Sequence, residues 1–519
     1  MLIIGGLGDQ LSLLIWPQVT DGLFSLLPHL AGSGFYQNVF FHLAHPLSTN
    51  QPILWLFLST LTFFFGTSFF NLFLLATMLA NVALSHLLFK RYKFGLTYAL
   101  IFSFSSYIWI QTGVHEELMQ IWLVPLFIHL VLRYKEIGWS TKAYAALSAA
   151  LLLAILISNY IGFFLLILFG LFALFDLKNL KSYVVVLFIT LASSLLFLWP
   201  FVKLNYLDSS VPKGTSGYTA RPLEDFVYFS SRPWYFFIPP VKNPWLGDFS
   251  KSVVSRIADT NYFLADDYFP AEHQGNYFGI LFFLSVLASL IYTMRSRDKK
   301  LKREVFELVG IALIIYILMF PPFFTLLGKT IWTPSYLLYK TFPIFRVTSR
   351  LSVVLLPVLL LILAKVVDYI YEHTEAKRKL LKGFVIVLLF ATLAETFIPV
   401  KVEYKTNLPA VYTYIGENLP LEAKFAVYPF EKMEDALFWL PVHQRHLMNP
   451  RTYYLGDMPT DEFTEMLPTA AGLGLAKEYG VEFIVVFKDA EPAEVRFFEG
   501  SGLIEVVYED DEAALFRVL

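Results

Sequence analysis

Two arginines four residues apart, Arg346 and Arg350, stand in the run Phe342-Pro343-Ile344-Phe345-Arg346-Val347-Thr348-Ser349-Arg350, just before a long apolar segment. Guanidinium forks bind phosphate bidentately and a helix start adds backbone donors, so the pattern suits a phosphate-bearing ligand. The plainer reading is salt bridging to loop acids, or snorkelling toward lipid headgroups. Asp9, in Gly8-Asp9-Gln10, precedes the amphipathic run Leu11–Trp16. It is either an ionisable group at a membrane edge or a helix N-cap. His115-Glu116-Glu117 occupies a short turn between two apolar segments. Such a trio can supply a metal ligand, a base or a contact to a polar substrate, or be ordinary turn polarity with acids favoured by a helix dipole. Arg232 and Tyr235 fall in Ser230-Ser231-Arg232-Pro233-Trp234-Tyr235-Phe236-Phe237. That run fits sugar or lipid contact as well as an interfacial aromatic belt. His42 and His45 have no third ligand nearby in sequence and are expected to be structural.

These residues need a scaffold, and composition says which kind. Of 519 residues, 56% are hydrophobic, 18% aromatic and only 16% charged; a soluble domain carries roughly a quarter charged. Mean hydropathy is +0.58. Tyr183–Pro200 is free of charge and approaches the ~20 apolar residues that span a bilayer, and Ala143–Phe175 is charge-free and long enough to span twice. The composition implies a polytopic membrane protein. A net charge of −2 gives no basic footprint for nucleic acid. With Cys 0, disulfides, thiolate nucleophiles and cysteine-ligated metals are excluded. No phosphate-binding G-x-x-x-x-G-K-[ST] and no strand–GxGxxG–helix is present.

The spans expected are Phe69–Phe89, Phe94–Thr112, Glu117–Arg133, Ala143–Ser158, Tyr160–Phe175, Tyr183–Val202, Tyr277–Met294, Glu307–Phe324, Leu351–Ile370 and Leu380–Pro399. Pro52–Gly66 is apolar but short and is left out. Lys and Arg cluster at 90–93, 133–142, 178–181, 295–303 and 377–382. Following the spans in order puts every cluster on one side, the cytoplasmic side by the positive-inside rule. The division expected is a first extracytoplasmic segment, 1–52, a transmembrane helical domain, 53–399, with a long outer loop at 203–276, and an extracytoplasmic α/β domain, 400–519. That last domain is expected from strand-like runs at Phe425–Tyr428, Phe483–Phe487, Ile504–Tyr508 and Ala514–Val518, with helical stretches near 409–418, 461–478 and 493–499. Met1-Leu2-Ile3-Ile4 looks like the tail of a preceding helix.

An acid near the start of the first outer segment, a His/Glu turn before a Trp-Leu-Val-Pro-Leu helix, and the Phe-Pro-x-Phe-Arg-x-x-x-Arg loop together resemble the GT-C superfamily of membrane glycosyltransferases. Within it the chain is most similar to bacterial relatives of the protein O-mannosyltransferase type. Asn276-Tyr277-Phe278-Gly279, entering a helix after the long loop, fits the same group. The resemblance implies a mainly α, polytopic fold with a small C-terminal α/β domain. It implies an inverting glycosyltransferase of the plasma or inner membrane, using a polyprenyl-phosphate-linked sugar donor and an extracytoplasmic acceptor. Asp9 then matches the general base, Glu116 or Glu117 the acid of the second outer loop, which assists or holds a divalent metal, and Arg350 with Arg346 the donor-phosphate contact. His115, Arg232 and Tyr235 would line the substrate. The chain departs from the pattern in lacking a first spanning helix, and in following Asp9 with Gln10 where the family has an acidic pair. A non-catalytic relative or assembly factor of the same fold is the alternative. A transporter fits less well, since helix interiors are nearly free of charge apart from Lys365, Asp368 and Glu395.

Overall fold

Long apolar runs satisfy their own backbone groups as helices, and among the described residues before 400 most do so. The computed structural model describes residues 51–54, 56–57, 69–112, 115, 117–202, 222–258, 271–399 and 408–519, except 434–435, 437–438, 444, 450–453 and 456–457. Asp9, Glu116, His42, His45 and the 400–407 stretch lie outside the described residues.

The helices are α1 (Phe69–Phe89), α2 (Gly95–Ser103), α3 (Ser106–Gln111), α4 (Leu123–Ile137), α5 (Thr141–Ile157), α6 (Asn159–Leu174) and α7 (Leu180–Val202). After the long loop, with short helices α8 (Leu223–Tyr228), α9 (Gly247–Ala258) and α10 (Ala271–Gln274), come α11 (Ile280–Arg295), α12 (Lys299–Leu318), α13 (Ser335–Thr341), α14 (Ser352–His373) and α15 (Arg378–Thr396). Among the described residues, Leu72–Phe89, Leu177–Trp199 and Thr348–His373 are long and apolar enough to cross a membrane. The last of these is 72% buried, against 39% and 22% for the other two, so α14 is the central helix. It packs on α11, α12, α2 and α4.

Three expected spans are corrected. The 94–112 segment breaks at Phe104–Ser105, where Ser105 is extended (ψ 162) and Ser106 Oγ donates to the Tyr277 carbonyl at 2.5 Å. The 117–133 span starts only at Leu123. Asn81 on α1 holds the preceding turn open, donating to Met119 O at 3.1 Å and accepting from Trp122 N at 2.9 Å. The span expected at 307–324 begins at Lys299, where Asp298 caps the helix by accepting from Lys300 N and Leu301 N. It stops at Leu318, and the chain then forms a hairpin, β1 (Phe323–Leu326) with β2 (Lys329–Trp332).

The basic clusters do share one end of the bundle. Arg91 pairs with Glu136, and Lys135 with Glu307. Lys365 pairs with Glu304 at 2.7 Å, and Lys93 N donates to Asp368 at 2.9 Å. Lys365 and Asp368, the charges that interrupt α14 in sequence, are thereby partnered. Glu395, at the opposite end of α15, accepts from Tyr277 Oη at 2.7 Å and Ile280 N at 2.6 Å, capping α11. Gly279 precedes it at φ +97, a region side-chain-bearing residues rarely adopt.

The C-terminal part is a small sheet domain. β3 (Lys424–Tyr428), β4 (His446–Leu447), β7 (Phe483–Phe487), β8 (Ile504–Glu509) and β9 (Ala513–Val518) form a sheet in the order β4-β3-β7-β9-β8, while β5 (Tyr454–Leu455) and β6 (Met458–Pro459) make a separate antiparallel pair. β3 is parallel to β4 and β7, and β9 antiparallel to β7 and β8. Central β7 is buried at every residue. The helix expected over 461–478 is two, α17 (Thr460–Met466) and α18 (Ala470–Glu478), separated at Pro468; α16 (Ala410–Asn418) precedes the sheet and α19 (Pro492–Gly500) sits between β7 and β8.

Candidate functional site

The Phe-Pro-x-Phe-Arg segment has a packing reason for its aromatics. Phe345 stacks on Phe163 of α6 with centroids 4.1 Å apart, meets Tyr160 at 5.3 Å, and Phe342 meets Phe163 at 5.1 Å. Docked this way on the first turns of α6, the chain turns into α14 with Arg350 above the Tyr160 ring, its guanidinium carbon 5.0 Å from the centroid. Arg350 Nη2 donates to Glu272 Oε1 at 3.0 Å, with side-chain exposures of 6% and 16%. Glu272 comes from α10, which lies against α3: a Cβ on Gly275 would sit 3.4 Å from Tyr107 Cα.

Around this pair, buried polar atoms accumulate. Among the described residues, Arg350 Nε, Ser349 Oγ, Ser352 Oγ, Tyr107 Oη and Gln111 Oε1 are buried without a hydrogen-bond partner. Buried polar groups are ordinarily paired, so such a concentration of donors and acceptors marks a place built for a polar guest. His115 and Glu117 stand close enough to feel Arg350. Burial, then the guanidinium charge, push the His115 imidazole down to about 3, so it is neutral at physiological pH. Burial raises the Glu117 carboxyl above its ordinary range, against the opposing pull of its own backbone N–H and of Arg350. The 3.7 Å between His115 Nδ1 and Glu117 Oε1 is therefore a contact to a neutral ring, too long for a hydrogen bond.

Arg346 lies apart from this centre. Its Nη1 donates to Asp225 Oδ2 at 2.5 Å and its guanidinium sits 4.9 Å from the Phe229 centroid. Both arginines therefore face loop acids, the plainer of the two readings of the pair, yet of the two only Arg350 has a buried N–H without a partner. Arg232 is buried and gives its donors to the protein's own backbone: Nη1 to Ser230 O at 3.0 Å and Nη2 to Val227 O at 2.9 Å, at the end of α8. Tyr235 stacks on His273 with centroids 4.5 Å apart, and burial, with Arg232 nearby, holds His273 down to about 3. Arg232 and Tyr235 thus brace the loop that carries Glu272.

Among the described residues no three His, Cys, Asp or Glu side chains come together as a metal site. The described donors beside the expected acid, His115 and Glu117, are two and share their surroundings with a guanidinium, which opposes a cation. Glu272, Tyr160 and Tyr107 were not singled out in sequence. Glu272 is one of several loop acids, and its pairing spans 78 residues.

Fold and site together define a class: an apolar helical bundle with a buried arginine–acid centre at the end opposite its basic surface, followed by a small mixed-sheet domain. No family model matches the chain, and no curated protein matches it. Among solved structures, it is similar to the crystal structure of ArnT from Cupriavidus metallidurans bound to undecaprenyl phosphate, with 10% identity over 99% of this chain and 97% of that chain and a TM-score of 0.40. A likeness at that level carries none of the functional argument below.

Proposed function

We propose that the chain is a multi-pass membrane glycosyltransferase of the GT-C type, moving a sugar from a polyprenyl-phosphate-linked donor to an extracytoplasmic acceptor. The observation that carries this reading is Arg350: a buried guanidinium fixed by Glu272 and Tyr160 whose Nε has no partner, in a stretch of chain where the Ser349 and Ser352 hydroxyls are also buried and unpaired. It stands at the bundle end opposite the basic clusters, which the positive-inside rule makes the outer end. A lipid headgroup phosphate would meet the protein at that level.

The chemistry needs a base for the acceptor hydroxyl and a cation beside the departing phosphate. As the acceptor oxygen attacks the anomeric carbon, its proton passes to a carboxylate and the bond from sugar to phosphate oxygen breaks. Arg350 supports the charge that develops on the phosphate. Asp9 is assigned as base from the sequence resemblance, and Glu117, or Glu116, as the assisting acid. Arg346, tied to Asp225, is assigned to the donor side with Arg350 from the sequence resemblance, and His115 contributes a neutral polar wall.

A non-catalytic relative is the second reading, favoured by the ion pair that already occupies part of Arg350. Sugar transfer from a polyprenyl-phosphate donor by the purified full chain separates the two. A positioned base is worth roughly 10²–10⁴ in rate, so Asp9→Asn is expected to lose activity on that order while still binding donor. No transfer by the wild-type chain with any polyprenyl-phosphate sugar contradicts the enzymatic reading. Near wild-type transfer by Asp9→Asn moves the base to Glu116 or Glu117.

A further inference from the structure

At the basic end, away from Arg350, the α11–α12 connection and the last turns of α14 enclose a cavity of about 550 Å³ lined by Ala288, Ile291, Tyr292, Arg295, Ser296, Arg297 and Tyr369. Its composition is graded. Ala288 and Ile291 form the part nearer the middle of the bundle, the Tyr292 and Tyr369 rings (centroids 6.3 Å apart) the middle, and Arg295 and Arg297 the rim. Neither guanidinium has an ion pair with a described residue, whereas most of the acids around them are engaged. Glu304 holds Lys365 and Glu307 holds Lys135, while Asp298 and Asp368 accept backbone N–H groups. Glu372, one turn beyond Tyr369, is exposed, so six basic residues over 295–303 face one acid in the same stretch, Asp298. Lys299, Lys300, Lys302 and Arg303 follow at once, so the rim carries unneutralised positive charge.

Below the rim, the exposed face of α11 continues as an apolar stripe. Leu284, Leu287, Ile291 and Met294 are 55%, 53%, 38% and 56% exposed, on one side of the helix by their spacing. A cationic mouth over an apolar track matches one chemistry, a phosphate on a hydrocarbon tail.

We propose that this cavity is a binding site for an anionic phospholipid of the cytoplasmic leaflet, with the headgroup phosphate between Arg295 and Arg297 and an acyl chain along Leu284–Ile291. Basic pockets between helices on the cytoplasmic side are suited to anionic headgroups. The inference rests on the membrane placement given above, but not on the glycosyltransferase activity.

The test is lipid binding to the purified full chain, by native mass spectrometry with phosphatidylglycerol and phosphatidylcholine as probes. Phosphatidylglycerol is expected to be retained in preference. Arg295→Gln/Arg297→Gln should weaken its binding about thirty-fold, at the usual increment per basic residue. Ala288→Trp fills the cavity without changing charge and should weaken it about tenfold or more. Lys299→Gln/Lys302→Gln, outside the cavity, should weaken it clearly less than the arginine pair does. Equal losses in the two charge-pair variants would show diffuse attraction and overturn the site, and so would unchanged binding by Ala288→Trp. Displacement of the lipid by inorganic phosphate alone would show an anion site without a lipid. A chain that will not insert into bilayers overturns both this site and the membrane reading, whereas one that inserts yet shows no lipid preference overturns the site only.

Discussion

Arg350 donates to Glu272 across 78 residues of sequence at 3.0 Å, and both side chains are largely buried, while Arg346 and Asp225 make the same kind of pair with both partners about 30% exposed (31% and 27%). Removing one partner of a buried pair strands a charge, which costs about 3–5 kcal/mol, whereas a pair in contact with solvent contributes at most about 1 kcal/mol. Glu272→Ala should therefore lower thermal stability markedly and Asp225→Ala slightly, as read by melting of the two purified variants. Equal shifts would mean that Arg350 is solvated.

His115 and Glu117 should give opposite pH slopes. His115 is neutral when folded and titrates near 6.5 when unfolded, so below that value the unfolded chain binds more protons and stability falls as pH drops from about 6.5 toward about 3. Glu117 has a raised folded pKa, so its contribution is fully present below the ordinary carboxyl value of 4.5 and is lost as pH rises through the raised value. Melting temperature followed against pH should show a shallower acid limb in His115→Asn, and a gain for Glu117→Gln that grows as the pH rises from 4.5 through the raised value and is constant above it. The reverse pattern would contradict the burial of both groups.

Gly279 and Glu395 make a joint prediction. A Cβ at Gly279 would force an unfavourable backbone at φ +97 and approach Glu395 Oε2 to 3.2 Å. Gly279→Ala should cost about 1–3 kcal/mol and Glu395→Ala about 1 kcal/mol through the lost cap. Because both act on the first turn of α11, the double variant should cost less than the sum, measured by a double-mutant cycle.

How much of this was legible beforehand differs by element. Phe69–Phe89 and Phe483–Phe487 match their expected bounds because each is a run without Asp, Glu, Lys or Arg that is ended by charge, at Lys90 and Lys488. The break at Ser105 was hidden, since its cause is a bond to the Tyr277 carbonyl 171 residues away. Of the 323–332 hairpin only Phe323 and Phe324 fell in the expected span and the rest was read as loop, although Leu327 and Gly328 at φ 50 and 76 supply its turn. At the site, the two arginines stood out by their spacing just before a long apolar segment. Glu272 did not, because only folding brings α10 under α14.

Topology is open to direct chemistry because the chain has no native cysteine. Glu499→Cys, on exposed α19, should react with an impermeant thiol reagent in intact cells, and Lys300→Cys only after permeabilisation. The opposite labelling would invert the bundle and place Arg350 at the inner face.

The measurement that bears most directly on the central claim is equilibrium binding of a polyprenyl-phosphate sugar to the wild-type chain and to Arg350→Ala and Arg350→Lys, each checked for folding by its melting transition. Loss of charge-assisted bonds of about 1.5–3 kcal/mol predicts weakening by roughly 10- to 150-fold in Arg350→Ala, with partial recovery in Arg350→Lys because a point charge replaces a fork. Unchanged donor affinity in a folded Arg350→Ala chain would contradict the assignment of Arg350 to the donor phosphate.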